Sequence, residues 1–217
     1  MAGTITALRY QKRNKERVNV FIDGAFAFGL AAIEAAHLKV GQALTDKDIE
    51  QLENKDEVER AYERALNFLS YRPRSEAEVR RNLKKKDVAD AAVDLVVERL
   101  TRAQLLDDRE FARYWVENRL QFKPRGPRAL RQELWQKGIP DAIIDEMLDG
   151  YDEQSAAERA AAERARRLMH LDPREFRRKL GQYLARRGFS YAVIDAVITS
   201  LRGEGSFDVE SEETGNG

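Results

Sequence analysis

The stretch VRRNLKKKDVADAAV, residues 79–93, has two relatives further along the chain, LRQELWQKGIPDAII (130–144) and LGQYLARRGFSYAVI (180–194). The copies are separated by 51 and then 50 residues. Apolar residues occupy the same places in each copy, namely Val79, Leu130 and Leu180, then Leu83, Leu134 and Leu184, then Val93, Ile144 and Ile194. Self-similarity at a fixed period is the signature of stacked supersecondary units. The sequence therefore predicts three similar units in tandem.

Each unit is predicted to contain three helices, at 57–70, 76–86 and 90–100, at 108–121, 127–137 and 141–149, and at 153–169, 173–187 and 191–202. The starts of the middle helices are marked by a Ser75-x-x-Glu78 capping box, by Gly126-Pro127 and by Asp172-Pro173. Glycine supplies the left-handed residue that ends a helix, and it follows the middle helix in the second and third copies. Asp87 takes that place in the first copy, at a cost on the order of 1 kcal/mol.

The first part of the chain has a different pattern, because ITALRY (5–10) and RVNVFIDGAFAFGL (17–30) alternate apolar and polar residues. Asp23-Gly24 favours a two-residue type I′ hairpin turn, which places Phe21 opposite Phe26. With QKRNKER as the preceding turn, this predicts a three-stranded meander. Such a small sheet needs a helix to pack on, and LTDKDIEQLEN (44–54), capped by Thr45 or Asp46, is predicted to supply it.

The predicted fold is mainly α: three tandem three-helix repeats, similar to helix-turn-helix units, form an elongated, curved molecule behind a small N-terminal β-meander. The predicted divisions are the meander with its short helix at 1–56, and repeats at 57–106, 107–151 and 152–203. The last segment, 204–217, contains acidic residues and no basic residue, and is predicted to be disordered.

Composition narrows the class of function. Lysine plus arginine number 38, as do aspartate plus glutamate, so no net charge draws the whole protein to nucleic acid. The chain has no cysteine, which excludes disulfide and thiolate chemistry. It shows neither a signal-peptide pattern nor a run of ~18 apolar residues that would span a membrane. We expect a soluble cytoplasmic protein.

Nothing in the sequence indicates catalysis. His37 and His170 are the only histidines, and each stands alone. The chain has no phosphate-binding loop, dinucleotide fingerprint or zinc-ligand spacing. Asp107-Asp108 precedes a helical stretch and is interpreted as a helix start. We expect no enzymatic activity, no cofactor and no metal.

Basic clusters on the middle helices are the candidate binding residues. They are Arg72, Arg74, Arg80, Arg81, Lys84 and Lys85 in the first unit and Arg125, Arg128 and Arg131 in the second, and the third unit has further cations at 174–179. Recurrence in every unit favours contact with phosphate or with an acidic partner. A solvated helix face is the competing interpretation, in which Arg72 and Arg74 bridge to Glu76 or Glu78.

A three-helix unit with a turn before its last helix also suggests helix-turn-helix DNA readers, which insert that helix into the major groove. The last helices here are acidic, with Asp90, Asp94 and Glu98 in the first unit and Asp141, Asp145, Glu146 and Asp149 in the second. Carboxylates are repelled by DNA phosphates. A protein or nucleoprotein partner is therefore favoured over bare duplex, while direct DNA binding and a passive helical scaffold remain alternatives.

Three long strings resemble the RecX family, bacterial regulators of the RecA recombinase: FLSYRPRSEAEVRRNLKKK (68–86), LLDDREFARYWVENR (105–119) and LRQELWQKGI (130–139). The resemblance runs from RNKERVNVFIDGAFAFGL (13–30) through the third repeat. It implies three three-helix repeats, no enzymatic activity, and binding in the groove of the RecA–single-stranded DNA filament. It further implies inhibition of strand exchange and ATP hydrolysis, and a place in DNA recombination, repair and the SOS response. We expect a monomer whose direct binding to DNA is weak.

Overall fold

A computed structural model describes residues 3–203, and this part of the chain contains ten helices and four strands. The predicted mainly helical fold with a small N-terminal antiparallel sheet is confirmed. The chain divides into two compact domains, an N-terminal domain at Met1–Leu106 and a C-terminal domain at Asp107–Gly217. The predicted disordered tail at 204–217 lies outside the described residues.

The N-terminal sheet is an antiparallel meander of β1 (Gly3–Tyr10), β2 (Arg17–Ile22) and β3 (Ala25–Ala31). A fourth strand that the sequence analysis missed, β4 (Ala43–Leu44), pairs with β1 and completes the order β3-β2-β1-β4. The short helix α1 (Ala32–Ala35) follows β3. One face of the sheet carries the fully or nearly fully buried Ile5, Val18, Val20, Phe28 and Leu30.

The predicted hairpin turn is present, because Asp23 has a φ of 49° and Gly24 a φ of 86°. Both values lie in the left-handed region that a type I′ turn requires. Phe21 pairs with Phe26 across β2 and β3, as predicted, and their rings meet edge to face with centroids 6.0 Å apart.

Replacing Gly24 with valine is expected to destabilise the N-terminal sheet by about 1–2 kcal/mol, because a β-branched residue is strained at positive φ. Amide hydrogen exchange of residues 17–31 measures the effect directly. Ala25→Val is the control, since Ala25 is exposed at the start of β3 and its φ is not positive. Unchanged exchange in the Gly24 variant would contradict the turn assignment.

Helix α2 runs without interruption from Asp46 to Ser70, over 25 residues. The prediction of two separate helices, at 44–54 and 57–70, is therefore wrong. No proline or glycine lies within this stretch. Asp56, near the predicted junction, does not cap a new helix but accepts a hydrogen bond from Arg17 at 2.8 Å. The predicted cap at the start is confirmed, since Thr45 forms a capping box with Asp48.

The other helices follow the predicted pattern closely. In the first unit α3 (Glu76–Lys84) and α4 (Asp90–Arg102) pack with α2. In the C-terminal domain, the second unit contains α5 (Asp108–Phe122), α6 (Pro127–Gln136) and α7 (Asp141–Leu148), and the third contains α8 (Glu153–Arg166), α9 (Pro173–Arg186) and α10 (Tyr191–Gly203). All nine apolar positions of the sequence repeat are buried. The repeat therefore specifies the core of each three-helix unit.

The helix boundaries have the chemistry that the sequence indicates. Ser75 and Glu78 form a reciprocal capping box at the start of α3, and Asp107 and Asp172 cap α5 and α9. The turns after the three middle helices are left-handed, with φ values of 58° at Asp87, 81° at Gly138 and 86° at Gly188. Asp87 thus adopts the conformation of the glycines at the equivalent positions.

Candidate partner-binding surface

Arg81 and Lys85 are exposed members of the predicted basic surface. Both are exposed, whereas their neighbours Val79 and Leu83 are fully buried and fix the orientation of α3. Within residues 3–203, neither cation takes part in an ion pair or a side-chain hydrogen bond. These two charges are therefore available to a partner.

Arg80 and Lys84 face the last helix of the same unit and are paired with it. Arg80 contacts Asp94 at 2.5 Å and Glu76 at 2.7 Å, and these hydrogen bonds raise the pKa of Arg80. Lys84 contacts Asp90 at 2.8 Å, and this hydrogen bond lowers the pKa of the Asp90 carboxyl. From the sequence, the basic middle helix and the acidic last helix were interpreted as two separate charged surfaces. In the structure their charges are paired with each other in this unit.

The cross-helix ion pair recurs in each three-helix unit. Arg131 contacts Asp145 at 2.5 Å, and both lie at the repeat positions of Arg80 and Asp94. In the third unit Asp195 keeps its repeat position, and its partner Arg177 lies one helical turn earlier on the middle helix. The recurrence of these cations therefore has a structural explanation.

A double-mutant cycle on Arg80 and Asp94, each changed to alanine, is expected to give a coupling energy of about 0.2–1 kcal/mol, as usual for partly exposed pairs. Chemical denaturation of the four proteins measures it. The matched control is the Arg81–Asp94 cycle, for which we expect a coupling near zero because Arg81 is not paired. Equal coupling in both cycles would contradict the pairing.

Arg72 and Arg74 lie beside the start of α3 in different environments. Arg72 donates to both carboxylate oxygens of Glu78, at 3.1 and 2.9 Å, which is the bridge that the solvated-face interpretation predicted. Arg74 instead stacks on Phe68, 4.0 Å from the ring centroid, and donates to its carbonyl oxygen at 3.4 Å. Burial, and then repulsion by Arg72, lower the pKa of Arg74. Both arginines are therefore held by their own unit.

The three candidates of the second unit also differ. Arg125 lies 3.5 Å from the Glu133 carboxylate, and Arg131 is paired with Asp145. Arg128 is exposed and has no ion pair within the described residues. Of the nine predicted residues, only Arg81, Lys85 and Arg128 combine exposure with the lack of a partner in the described part of the chain.

The aromatic residues Phe111, Tyr114 and Trp115 of α5 differ in burial and in contacts. Phe111 is buried and stacks on Trp115, at 5.8 Å between centroids, as a core stripe predicts. The indole nitrogen of Trp115 donates to Glu133 at 2.9 Å, a polar contact that the sequence did not indicate. Tyr114 of the same helix is 40% exposed. Trp135 of α6 is 66% exposed.

The described residues contain no group of three or more histidine, cysteine, aspartate or glutamate side chains placed to hold a metal ion. His37 and His170 are both exposed. Across residues 3–203, no helix is both long enough and apolar enough to cross a membrane.

A small antiparallel sheet followed by three three-helix units, with cations on the middle helices, defines a helical-repeat protein of modular construction. Four domain families match the chain in this order: the regulatory protein RecX N-terminal domain at 3–45, and the first, second and third RecX three-helix domains at 61–100, 107–148 and 151–198. The chain belongs to the RecX family.

Individual relatives agree with this assignment. The chain is 37% identical to regulatory protein RecX of Bacillus licheniformis and 36% identical to that of Bacillus subtilis strain 168, over 96% of this chain and 81% of each relative. A crystal structure of a regulatory protein RecX matches with a TM-score of 0.73 and 30% identity, covering 90% of this chain and 98% of that one. RecX from Lactobacillus salivarius matches with a TM-score of 0.62 and 29% identity, covering 68% and 98%. The resemblance seen in the sequence is confirmed.

Proposed function

We propose that this protein binds the RecA recombinase and the RecA–single-stranded DNA filament, and that it lowers strand exchange and ATP hydrolysis there. The observation that carries the proposal is the match to a family of regulatory proteins along nearly the whole chain. On this proposal the protein acts in DNA recombination, repair and the SOS response in the cytoplasm, as a non-catalytic binding protein without a cofactor.

The ion pairs support a contact surface smaller than the nine predicted residues. Arg80, Lys84 and Arg131 are paired with the last helices of their units, so using them for a partner would cost those contacts. Arg81, Lys85 and Arg128 are exposed and unpaired within the described residues. We infer that these three cations make the main electrostatic contacts with an acidic protein surface or with phosphate.

Direct DNA binding by a helix-turn-helix mode is the second candidate function. Arg80 and Arg131 neutralise Asp94 and Asp145, so these carboxylates of the last helices repel phosphate less than their number suggests. Asp141 and Asp149 take part in no ion pair within the described residues, so they still give α7 and its end an acidic character. The RecA-binding proposal is therefore favoured over this alternative.

A pull-down of purified RecA on the immobilised full chain separates the two functions. We expect retention of RecA, strongest when single-stranded DNA and nucleotide are present to form the filament. Binding to naked duplex without RecA, with a steep dependence on salt, would favour direct DNA binding. Absence of RecA from the bound fraction in every arm would contradict the proposed function.

A further inference from the structure

A basic cavity of about 370 Å³ lies within the C-terminal domain, between the end of α5 with the segment after it and helices α8 and α9. Its charged lining comprises five cations and one carboxylate: Lys123, Arg159, Arg164, Arg167, Arg187 and Glu163. The formal charge of the lining is therefore +4, in a chain whose net charge is zero. A concentration of like charge of this kind raises the local concentration of anions.

Most of these cations have no carboxylate partner. Within the described residues Arg167 is the only one of the five that forms an ion pair, with Glu163 at 2.5 Å. The Nε atom of Arg164 is buried, and no described residue accepts a hydrogen bond from it. Lys123, Arg159, Arg164 and Arg187 therefore have no carboxylate partner within the described residues, and their charge is available to an anion in the cavity.

The walls of the cavity are held in place by the surrounding structure. The Arg187 guanidinium lies 4.6 Å from the centroid of the Tyr183 ring and donates to the carbonyl oxygen of Pro124 at 3.1 Å. The backbone N–H of Gly126 donates to the carbonyl oxygen of Arg187 at 2.9 Å. Both contacts join the segment after α5 to the end of α9. A ligand therefore meets a pre-organised site, which lowers the entropic cost of binding.

We propose that this cavity binds a phosphate group whose attached sugar and base lie against Phe122. Planar guanidinium groups match phosphate oxygens in geometry and charge. Phe122 lines the cavity and is 66% exposed, so its ring is available for base stacking. The volume lies within the range of small-ligand pockets. The ligand class is a nucleoside phosphate, supplied either as a free nucleotide or as part of a single strand.

The cavity and the proposed RecA-binding surface consist of different residues, because none of the nine predicted surface residues lines the cavity. The proposal for the cavity therefore does not rest on the proposed binding of RecA. Cations near the C-terminus of α8, such as Arg164, Arg166 and Arg167, stabilise the negative end of the helix dipole, which explains their presence there. It does not explain Arg159, which lies in the middle of α8. Arg166 lies outside the cavity lining and provides a matched control on the same helix.

The test measures binding of the full chain to three probes: inorganic phosphate and ATP by calorimetry, and a fluorescein-labelled oligothymidylate by anisotropy. We expect Arg159→Ala to weaken binding about tenfold, the effect of one lost charge-assisted contact. For the oligonucleotide, the slope of log affinity against log salt should fall in magnitude by about 0.7. Arg166→Ala, which removes the same charge, should bind as the wild type does.

Phe122→Ala separates the phosphate contact from the stacking contact, since it should weaken ATP or oligonucleotide binding and leave inorganic phosphate unaffected. If Phe122→Ala weakens the binding of ATP alone, the ligand is a free nucleotide. If it weakens the binding of the oligonucleotide alone, the ligand is a single strand. If it weakens the binding of both probes, the result supports a site that a free nucleotide and a single strand share. Equal weakening by Arg159→Ala and Arg166→Ala would overturn the proposal, as would failure of the wild type to bind any of the three probes.

Discussion

Replacing Gly188 with alanine is expected to lower the free energy of unfolding of the C-terminal domain by about 3 kcal/mol, the sum of strain and overpacking. Gly188 has a φ of 86°, so any side chain there is strained. A Cβ atom would also lie 2.4 Å from the backbone nitrogen of Ala129 and 2.6 Å from its Cβ. Backbone atoms of α6 cannot move aside as a flexible side chain can.

The matched control is Gly150→Ala in the same C-terminal domain. Gly150 has a φ of 68°, but an added Cβ meets no atom within 4 Å. This variant should cost only the conformational strain, about 1 kcal/mol. Chemical denaturation followed by circular dichroism measures both. Equal losses would show that the close approach between the turn after α9 and the start of α6 contributes nothing to stability.

The repeat was predictable from the sequence because its apolar positions, capping residues and turn residues are local signals that agree with one another. Val79, Leu130 and Leu180 are all fully buried, and Ser75 and Asp172 cap the helices that they were predicted to start. The Asp23-Gly24 turn was predictable for the same reason, since its backbone conformation restricts the residue type.

Features that depend on distant contacts were not predictable in this way. The two-residue strand β4 is too short to show alternation, and only its pairing with β1 makes it a strand. Helix α2 is continuous at residue 56, where the Asp56 carboxylate is paired with Arg17 of the distant strand β2. The sequence gives no sign of this ion pair, and its change of residue pattern near position 56 suggested a boundary between two helices.

The division of the basic residues into paired and free ones follows from the rotation of a helix by about 100° per residue. Arg80 and Arg81 are adjacent in sequence, yet only Arg80 points to the last helix. One signal was available: arginine and aspartate recur 14 residues apart at 80 and 94 and at 131 and 145. A polar pair kept at equivalent repeat positions indicates a contact between the helices of one unit.

Reversing Arg81 and Lys85 to glutamate together is expected to weaken inhibition of RecA by about a hundredfold in the concentration required. An interface that exchanges two positive charges for two negative ones meets like-charge repulsion of several kcal/mol, and about 3 kcal/mol corresponds to that factor. The measurement is the DNA-dependent ATP hydrolysis of RecA, titrated with each variant at a low and a high salt concentration. High salt should narrow the difference, since exposed charges are screened.

Two further variants make the result interpretable. Arg81 lies in the last turn of α3 and Lys85 caps it, so acidic residues there oppose the helix dipole at a cost of about 1 kcal/mol. The neutral Arg81→Gln/Lys85→Gln protein avoids most of that cost and should show a smaller loss of inhibition. Lys12→Glu/Lys15→Glu changes the net charge equally at exposed positions of the β1–β2 turn, and it should inhibit normally.

Reversal of Asp94 and Glu98 tests the chemistry of the partner, with one complication. Asp94 is paired with Arg80 and Glu98 with Arg102, so these reversals also break contacts within the first unit. If a folded Asp94/Glu98 reversal loses as much inhibition of RecA as the Arg81/Lys85 reversal does, the partner surface is a protein surface of mixed charge. A smaller loss of inhibition would indicate a phosphate-rich surface. Wild-type inhibition by a folded Arg81/Lys85 reversal would remove these cations from the mechanism and leave them as a solvated helix face.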